Sequence, residues 1–165
     1  MLSVLNINNS KRALLFSSGI ILLILSSSLL PFMIIKVIPQ SVIGNFILKY
    51  IRYIYLIIPF TIYFYYTGIY YYYIKIDPYI ITLRSHRAIL DIYKKSNYID
   101  ISHTMLDSFS FFNRPFSFNR TLMIKIKTES GKKIAKRFNL SFLKHKEEEK
   151  ITKRLNQIIA NRKDD

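Results

Sequence analysis

Between residues 13 and 74 the chain runs through two long apolar stretches without one acidic residue, and all ten of its acidic residues lie beyond them. A chain of 165 residues has room for one small domain besides such stretches. The division therefore predicts an integral membrane hairpin carrying that domain. The expected boundaries are a short segment at 1–12, a hairpin at 13–74 and a domain at 75–165. The first stretch, ALLFSSGIILLILSSSLLPFMIIKVI over 13–38, reaches about 39 Å as a helix at 1.5 Å per residue. That exceeds a hydrocarbon core of roughly 30 Å. Pro31 is placed to loosen its last turns, and Ser26–Ser28 to bond back to helix carbonyls. The second stretch, expected over about 46–74, has Pro59 near its middle and seven tyrosines crowded at its end, residues that favour the membrane–water interface; the last few of them are also expected to open a strand of the following domain. The link at 39–45 is too short for a folded domain, so the spans are expected to be antiparallel neighbours. A cleaved signal peptide is the other reading of Lys11, Arg12 and the first apolar run. That run continues ten residues past Ser26–Ser28, further than a signal peptide needs.

Charge sharpens the picture. The formal net charge is +15; residues 1–74 hold +5 of it and residues 75–165 hold +10. Lys11 and Arg12 flank the first span, while Lys75, Arg84 and Arg87 follow the second. The positive-inside rule then puts both termini in the cytosol of a multi-pass inner (plasma) membrane protein, with Lys36, Lys49 and Arg52 arguing the other way. A basic domain beside a bilayer gains about 1 kcal/mol per well-placed Lys or Arg from anionic headgroups. Nucleic-acid binding is a weaker use of the same charge. The chain has no cysteine, which excludes disulfides, thiol redox chemistry and Cys-ligated zinc.

From Lys75 onward the apolar runs become short. Strands are expected at Tyr79–Leu83, Ala88–Tyr93, Tyr98–Ser102 and Met105–Phe112, with Arg84–Arg87 as a basic loop and Arg114–Asn119 as a polar one. Leu122–Thr128 and Lys132–Leu140 alternate around Ser130-Gly131 as a hairpin. Ser141 is the expected N-cap of a helix to about Ala160, with Ile151, Leu155, Ile158 and Ile159 on one apolar stripe. The outcome is an α+β chain of six or seven antiparallel strands closed by an amphipathic C-terminal helix.

Two apolar spans, then IKIDPYIITLRS, NYIDIS and an LMIKIKTESGKKIAKRF hairpin before a terminal helix, resemble the bacterial membrane proteins with YcxB-like or bacterial pleckstrin-homology-like (PH-like) domains. The resemblance implies a small antiparallel barrel or sandwich, and lipid or protein interaction at the inner membrane face. Eukaryotic PH domains place a Trp in the closing helix; this chain has none, so phosphoinositide recognition does not carry over.

Candidate sites are few. Arg84, His86 and Arg87 fall where the resemblance puts a headgroup-binding loop, and can equally be a solvated turn beside the bilayer. Lys125, Lys127, Lys132 and Lys133 decorate the late hairpin as a membrane-facing or partner-facing strip, or as guards against edge pairing. Lys49 and Arg52 near the start of the second span are candidate intramembrane contacts, or snorkel to the interface. About two-thirds of Phe109, Phe111, Phe112, Phe116 and Phe118 are expected to be core, with Phe116 and Phe118, outside the clear strands, as a candidate contact surface for a partner or the bilayer. His86, His103 and His145 sit in separate elements without ligand spacing, Glu147–Glu149 read as a solvated helix face, and no nucleotide-binding or nucleophile motif is present. No catalytic residue, metal or cofactor is expected. The leading expectation is a non-enzymatic membrane-anchored interaction module for lipid headgroups, a protein partner or a second copy of the chain. The alternative is an immunity or accessory subunit acting on a partner membrane protein through its hairpin.

Overall fold

The computed structural model describes residues 3–37, 42–54, 57–88, 97–113, 115–128 and 131–164. They form two compact units, one of residues 1–13 and 69–165, the other of residues 14–68.

The second unit is helical. It contains most of α1 (Ser10–Val37), then α2 (Val42–Ile54) and α3 (Ile57–Thr67). Among the described residues α1 is the one helix long and apolar enough to cross a membrane. It continues through Pro31, and the hydroxyls of Ser26 and Ser27 donate to the carbonyls of Leu23 and Ile24 (both 3.1 Å). That hides their polarity in the helix's own backbone. The stretch expected as one span over 46–74 is divided into α2, α3 and the start of a strand. Pro59 sits in the first turn of α3, where its missing N–H costs nothing. Gly68 ends α3 at φ 67°, its N–H bonding the Phe64 carbonyl (3.0 Å); a Cβ would be strained there. α2 is amphipathic: Asn45, Lys49 and Arg52 fall at i, i+4 and i+7 along an otherwise apolar helix.

The first unit holds two antiparallel sheets and a helix. Sheet A runs β1 (Leu5–Asn8), β2 (Tyr70–Ile76), β3 (Ile80–Arg87) and β4 (Asn97–Ser102); sheet B runs β5 (Leu106–Asn113), β6 (Asn119–Lys127) and β7 (Lys133–Ser141); α4 is His145–Asp164. The expected segment 1–12 is not a separate piece. Leu5–Asn8 pairs with β2 in register Leu5↔Ile76 through Asn8↔Tyr73, so the helical unit is inserted between two neighbouring strands of one sheet. Period-2 burial explains the sheet: Ile7 of β1, Tyr72, Ile74 and Ile76 of β2, Ile81 and Leu83 of β3, and Ile99 and Ile101 of β4 face one core. Leu122, Ile124 and Phe138 meet them from sheet B, and Ile151, Leu155 and Ile158 from α4, as the helical stripe requires. Each fully buried aliphatic side chain contributes about 1.5–3 kcal/mol.

Other expectations shift by a few residues. Asn97–Ser102, Leu106–Asn113, β6 and β7 are strands as expected, give or take their ends, and Gly131 turns the late hairpin at φ 77°. The expected strand at Ala88–Tyr93 lies almost wholly outside the described residues. Ser141 does not cap α4; it closes β7, buried, while the helix starts at His145. Its first turn is held instead from the Glu147 side, whose carboxylate accepts the Lys144 N–H (3.1 Å), one half of a capping box.

Candidate functional site

The segment Arg84–Arg87, expected as a loop, is the end of β3. The ladder with β2 continues to Tyr70↔Arg87, and Ser85 turns inward because its hydroxyl donates to the Asn139 carbonyl (2.7 Å). Alternation then places Arg84 and His86 on the outer face and Arg87 on the other. Of the expected Arg84, His86 and Arg87, the outer face therefore brings Arg84 and His86 together and leaves Arg87 on the opposite one.

The pair is framed by aromatic rings. Tyr71 stands opposite His86, and Tyr73 and Tyr98 stand opposite Arg84 on either side. The Tyr71 and His86 rings stack at 5.2 Å with 28° between planes, and the Arg84 guanidinium lies over the Tyr98 ring at 4.8 Å. Such contacts use the flat faces of imidazole and guanidinium and leave their in-plane N–H edges for hydrogen bonds. Asn8, Ser10, Tyr71–Tyr73, Arg84 and His86 line a cleft of about 340 Å³ that contains no carboxylate. The acidic groups of this sheet gather further along it. Lys75 pairs with Asp77 at 2.7 Å, a hydrogen bond that raises the lysine pKa. Asp100 accepts from Thr82 (2.9 Å) and from the Tyr98 hydroxyl (3.2 Å).

The late lysines belong elsewhere. Lys125, Lys127 and Lys133 share the outer face of sheet B, and Lys132 sits in the turn before β7. Lys127 directly faces Lys133, an unfavourable pairing that Asp107 relieves at 3.7 Å from Lys133 Nζ. The two basic groups singled out from the sequence are thus on different sheets. Lys49 and Arg52 lie on α2. Of the five phenylalanines, Phe109 and Phe111 pack on the core, while Phe112, Phe116 and Phe118 are exposed, fewer buried than expected. His103 begins a 3₁₀ turn, where burial lowers its pKa, and His145 faces Glu149 at 3.1 Å. Among the described residues no three His, Asp or Glu side chains gather as a metal would require.

A polar clasp that sequence reasoning missed joins the two ends of the domain. Asn9, 1% exposed, donates from Nδ2 to the carbonyls of Tyr70 (2.8 Å) and Ser141 (3.0 Å), while its Oδ1 accepts the Tyr72 N–H (2.8 Å). Three residues on, the Arg12 guanidinium donates to the Phe142 carbonyl (2.8 Å) and grips both carboxylate oxygens of Glu147. The Tyr72 hydroxyl also donates to Glu147 (3.3 Å). Burial alone would raise the Glu147 pKa; the hydrogen bonds from Arg12 and the Lys144 N–H outweigh it and hold the carboxyl below its usual range. The same burial, with the carboxylate beside it, pushes the Tyr72 phenol far up. One sequence signal existed: Asn9 directly precedes the first helical residues, where Asn is a favoured N-cap, and its carbonyl accepts the Ala13 N–H (2.9 Å).

No protein-family model, curated protein or solved structure matches this chain. The outer face of sheet A brings together two nitrogen-bearing groups and the phenols around them, with no carboxylate among the described residues that line the cleft, a set of donors suited to an oxyanion.

Proposed function

We propose that the protein is a non-enzymatic, membrane-anchored interaction module, whose domain is held at one membrane face to engage lipid headgroups or a protein partner. The observation that carries this reading is the pairing of β1 with β2 around an inserted 28-residue apolar helix. Two strands of one sheet share one aqueous compartment, so a chain that leaves the domain through α1 and crosses a bilayer must cross back before Tyr70. α2 and α3, of 13 and 11 residues, are each shorter than the ~20 residues a crossing needs; residues 42–67 taken together are long enough. The flanking Lys11, Arg12, Lys75 and Arg84 favour the cytosolic side for the domain and both termini, hence a multi-pass protein of the inner membrane. The PH-like assignment draws on the layout of four and three antiparallel strands followed by a C-terminal helix. An anchored domain needs only modest affinity of its own, because the anchor supplies effective concentration.

The absence of cysteine gives a direct test. Ser3→Cys and Lys132→Cys variants, labelled in sealed vesicles with an impermeant maleimide, are expected to react from the same side, and alkaline carbonate is expected to leave the protein in the membrane. Reaction from opposite sides, or release by carbonate, overturns the reading. A second reading, an accessory subunit acting inside the bilayer, draws on α2, whose Asn45, Lys49 and Arg52 stripe is costly in lipid without a polar neighbour. It predicts that Lys49→Leu with Arg52→Leu abolishes co-purification of a membrane partner while leaving the domain folded.

A further inference from the structure

The loop between β5 and β6 carries two exposed phenylalanines at the end of the domain where the chain leaves for the apolar unit. Phe116 is 91% exposed and Phe118 55%. Phe116 also holds φ 57°, a left-handed conformation in which a Cβ crowds the backbone and which Gly, Asn or Asp adopts more cheaply.

Its position within the domain is fixed by a short chain of contacts. The Phe118 carbonyl accepts the Phe142 N–H (3.1 Å), and the two rings lie 5.7 Å apart. The Phe142 carbonyl in turn accepts from Arg12 (2.8 Å), two residues before the chain passes into the apolar unit at Leu14. On the return, Tyr70 follows that unit by two residues, and its N–H donates to the Ser141 hydroxyl (2.7 Å), beside Phe142. Both connections and the Phe116 loop therefore share one end of the domain. Lys127 and Lys132, at the other tip of the β6–β7 hairpin, mark the opposite end.

We propose that this loop is an aromatic wedge seated in the bilayer itself, with Phe116 and Phe118 at the boundary between headgroups and acyl chains of the leaflet that faces the domain. Apolar side chains lose least free energy there when the backbone carrying them stays at the polar surface. A third attachment besides the two chain connections restrains the domain from turning about them, which fixes the direction in which the Arg84–His86 cleft opens. The inference rests on the membrane-anchored reading above, and its test separates the two.

Single-cysteine variants Phe116→Cys, Lys132→Cys and Leu22→Cys of the full chain, spin-labelled in nanodiscs of phosphatidylcholine and phosphatidylglycerol, are compared for accessibility to oxygen, which concentrates in lipid, and to a nickel chelate, which stays in water. Phe116→Cys is expected to show several-fold lower nickel accessibility than Lys132→Cys, with high oxygen accessibility; Phe118→Cys is expected to follow it. Nickel accessibility equal to that of Lys132→Cys overturns the wedge. Shielding from both reagents overturns it too, in favour of a protein contact. A water-accessible Leu22→Cys label overturns the membrane reading instead.

Discussion

Replacing Asn9 tests whether the inserted architecture depends on the clasp. Asn9→Ala removes three hydrogen bonds at a site 1% exposed: two donated to the Tyr70 and Ser141 carbonyls and one accepted from the Tyr72 N–H. Each is worth about 0.5–1.5 kcal/mol net, and more where the abandoned group finds no water. The three together amount to about 3 kcal/mol. For a domain of roughly 100 residues, 1 kcal/mol moves Tm by about 4–8 °C, so a fall of about 12–24 °C is expected. The assay is thermal unfolding in micelles, followed by the near-ultraviolet circular dichroism of the tyrosines, together with hydrogen exchange at the Tyr72 amide, which should lose protection. Asn9→Asp keeps the acceptor for Tyr72 but aims a carboxylate at two carbonyls. Its folded-state pKa is therefore raised, so this variant is expected to recover stability as pH falls through that raised value, which Asn9→Ala cannot do. A Tm within about 2 °C of the parent, with Tyr72 still protected, would refute the claim that this side chain joins β1, β2 and β7.

Glu147 makes the domain acid-sensitive: its folded-state pKa is depressed, so the stability it confers is present above the unfolded value and lost as pH falls through the folded one. Glu147→Gln is expected to lower stability at neutral pH and to flatten that acid limb in a pH series of melts. Arg84→Ala or His86→Ala is expected to weaken binding of short-chain phosphatidylglycerol to the micelle-solubilised protein by roughly tenfold, the loss of one charge-assisted contact. Lys125→Ala with Lys127→Ala, on the other sheet, should change it far less; equal effects on fluorescence titration would dismiss the cleft. A fragment starting at Lys75 lacks β1 and nearly all of β2, and with them the buried Ile7, Tyr72 and Ile74. It is expected to be unfolded by amide chemical-shift dispersion, whereas joining Ala13 to Ile69 by a short Gly-Ser linker should give a folded, soluble domain.

Where the sequence could be read, the pattern was local. The apolar run of α1, the alternation of Leu122–Lys127 and the stripe of Ile151, Leu155 and Ile158 each announce their element, because burial on one face repeats at the period of the backbone. Arg84–Arg87 misled because two arginines and a histidine in four residues look like a loop, while the inward Ser85 donates to the Asn139 carbonyl, 54 positions away. The tyrosines at 70–73 were legible as the opening of a strand, but the boundary was not: they continue an apolar run without a break, while Gly68 has already ended the helix and the strand faces of Tyr71 and Tyr72 differ.

The sequence by itself determined that an apolar, acid-free segment is joined to a basic domain of short strands and one amphipathic helix, because hydropathy and periodicity are properties of neighbouring residues. Only the tertiary structure decided that the segment interrupts the domain rather than preceding it. Leu5–Asn8 is four residues of alternating Asn and apolar side chains, too short to announce a strand, and its partner lies more than sixty positions on. The same long-range closure brought Asn9 and Arg12 to Ser141 and Glu147, and put Arg84 and His86 on one face with Arg87 on the other. Hydrogen-bond satisfaction of buried polar groups set those choices, and it depends on what the fold brings near, which no local pattern records.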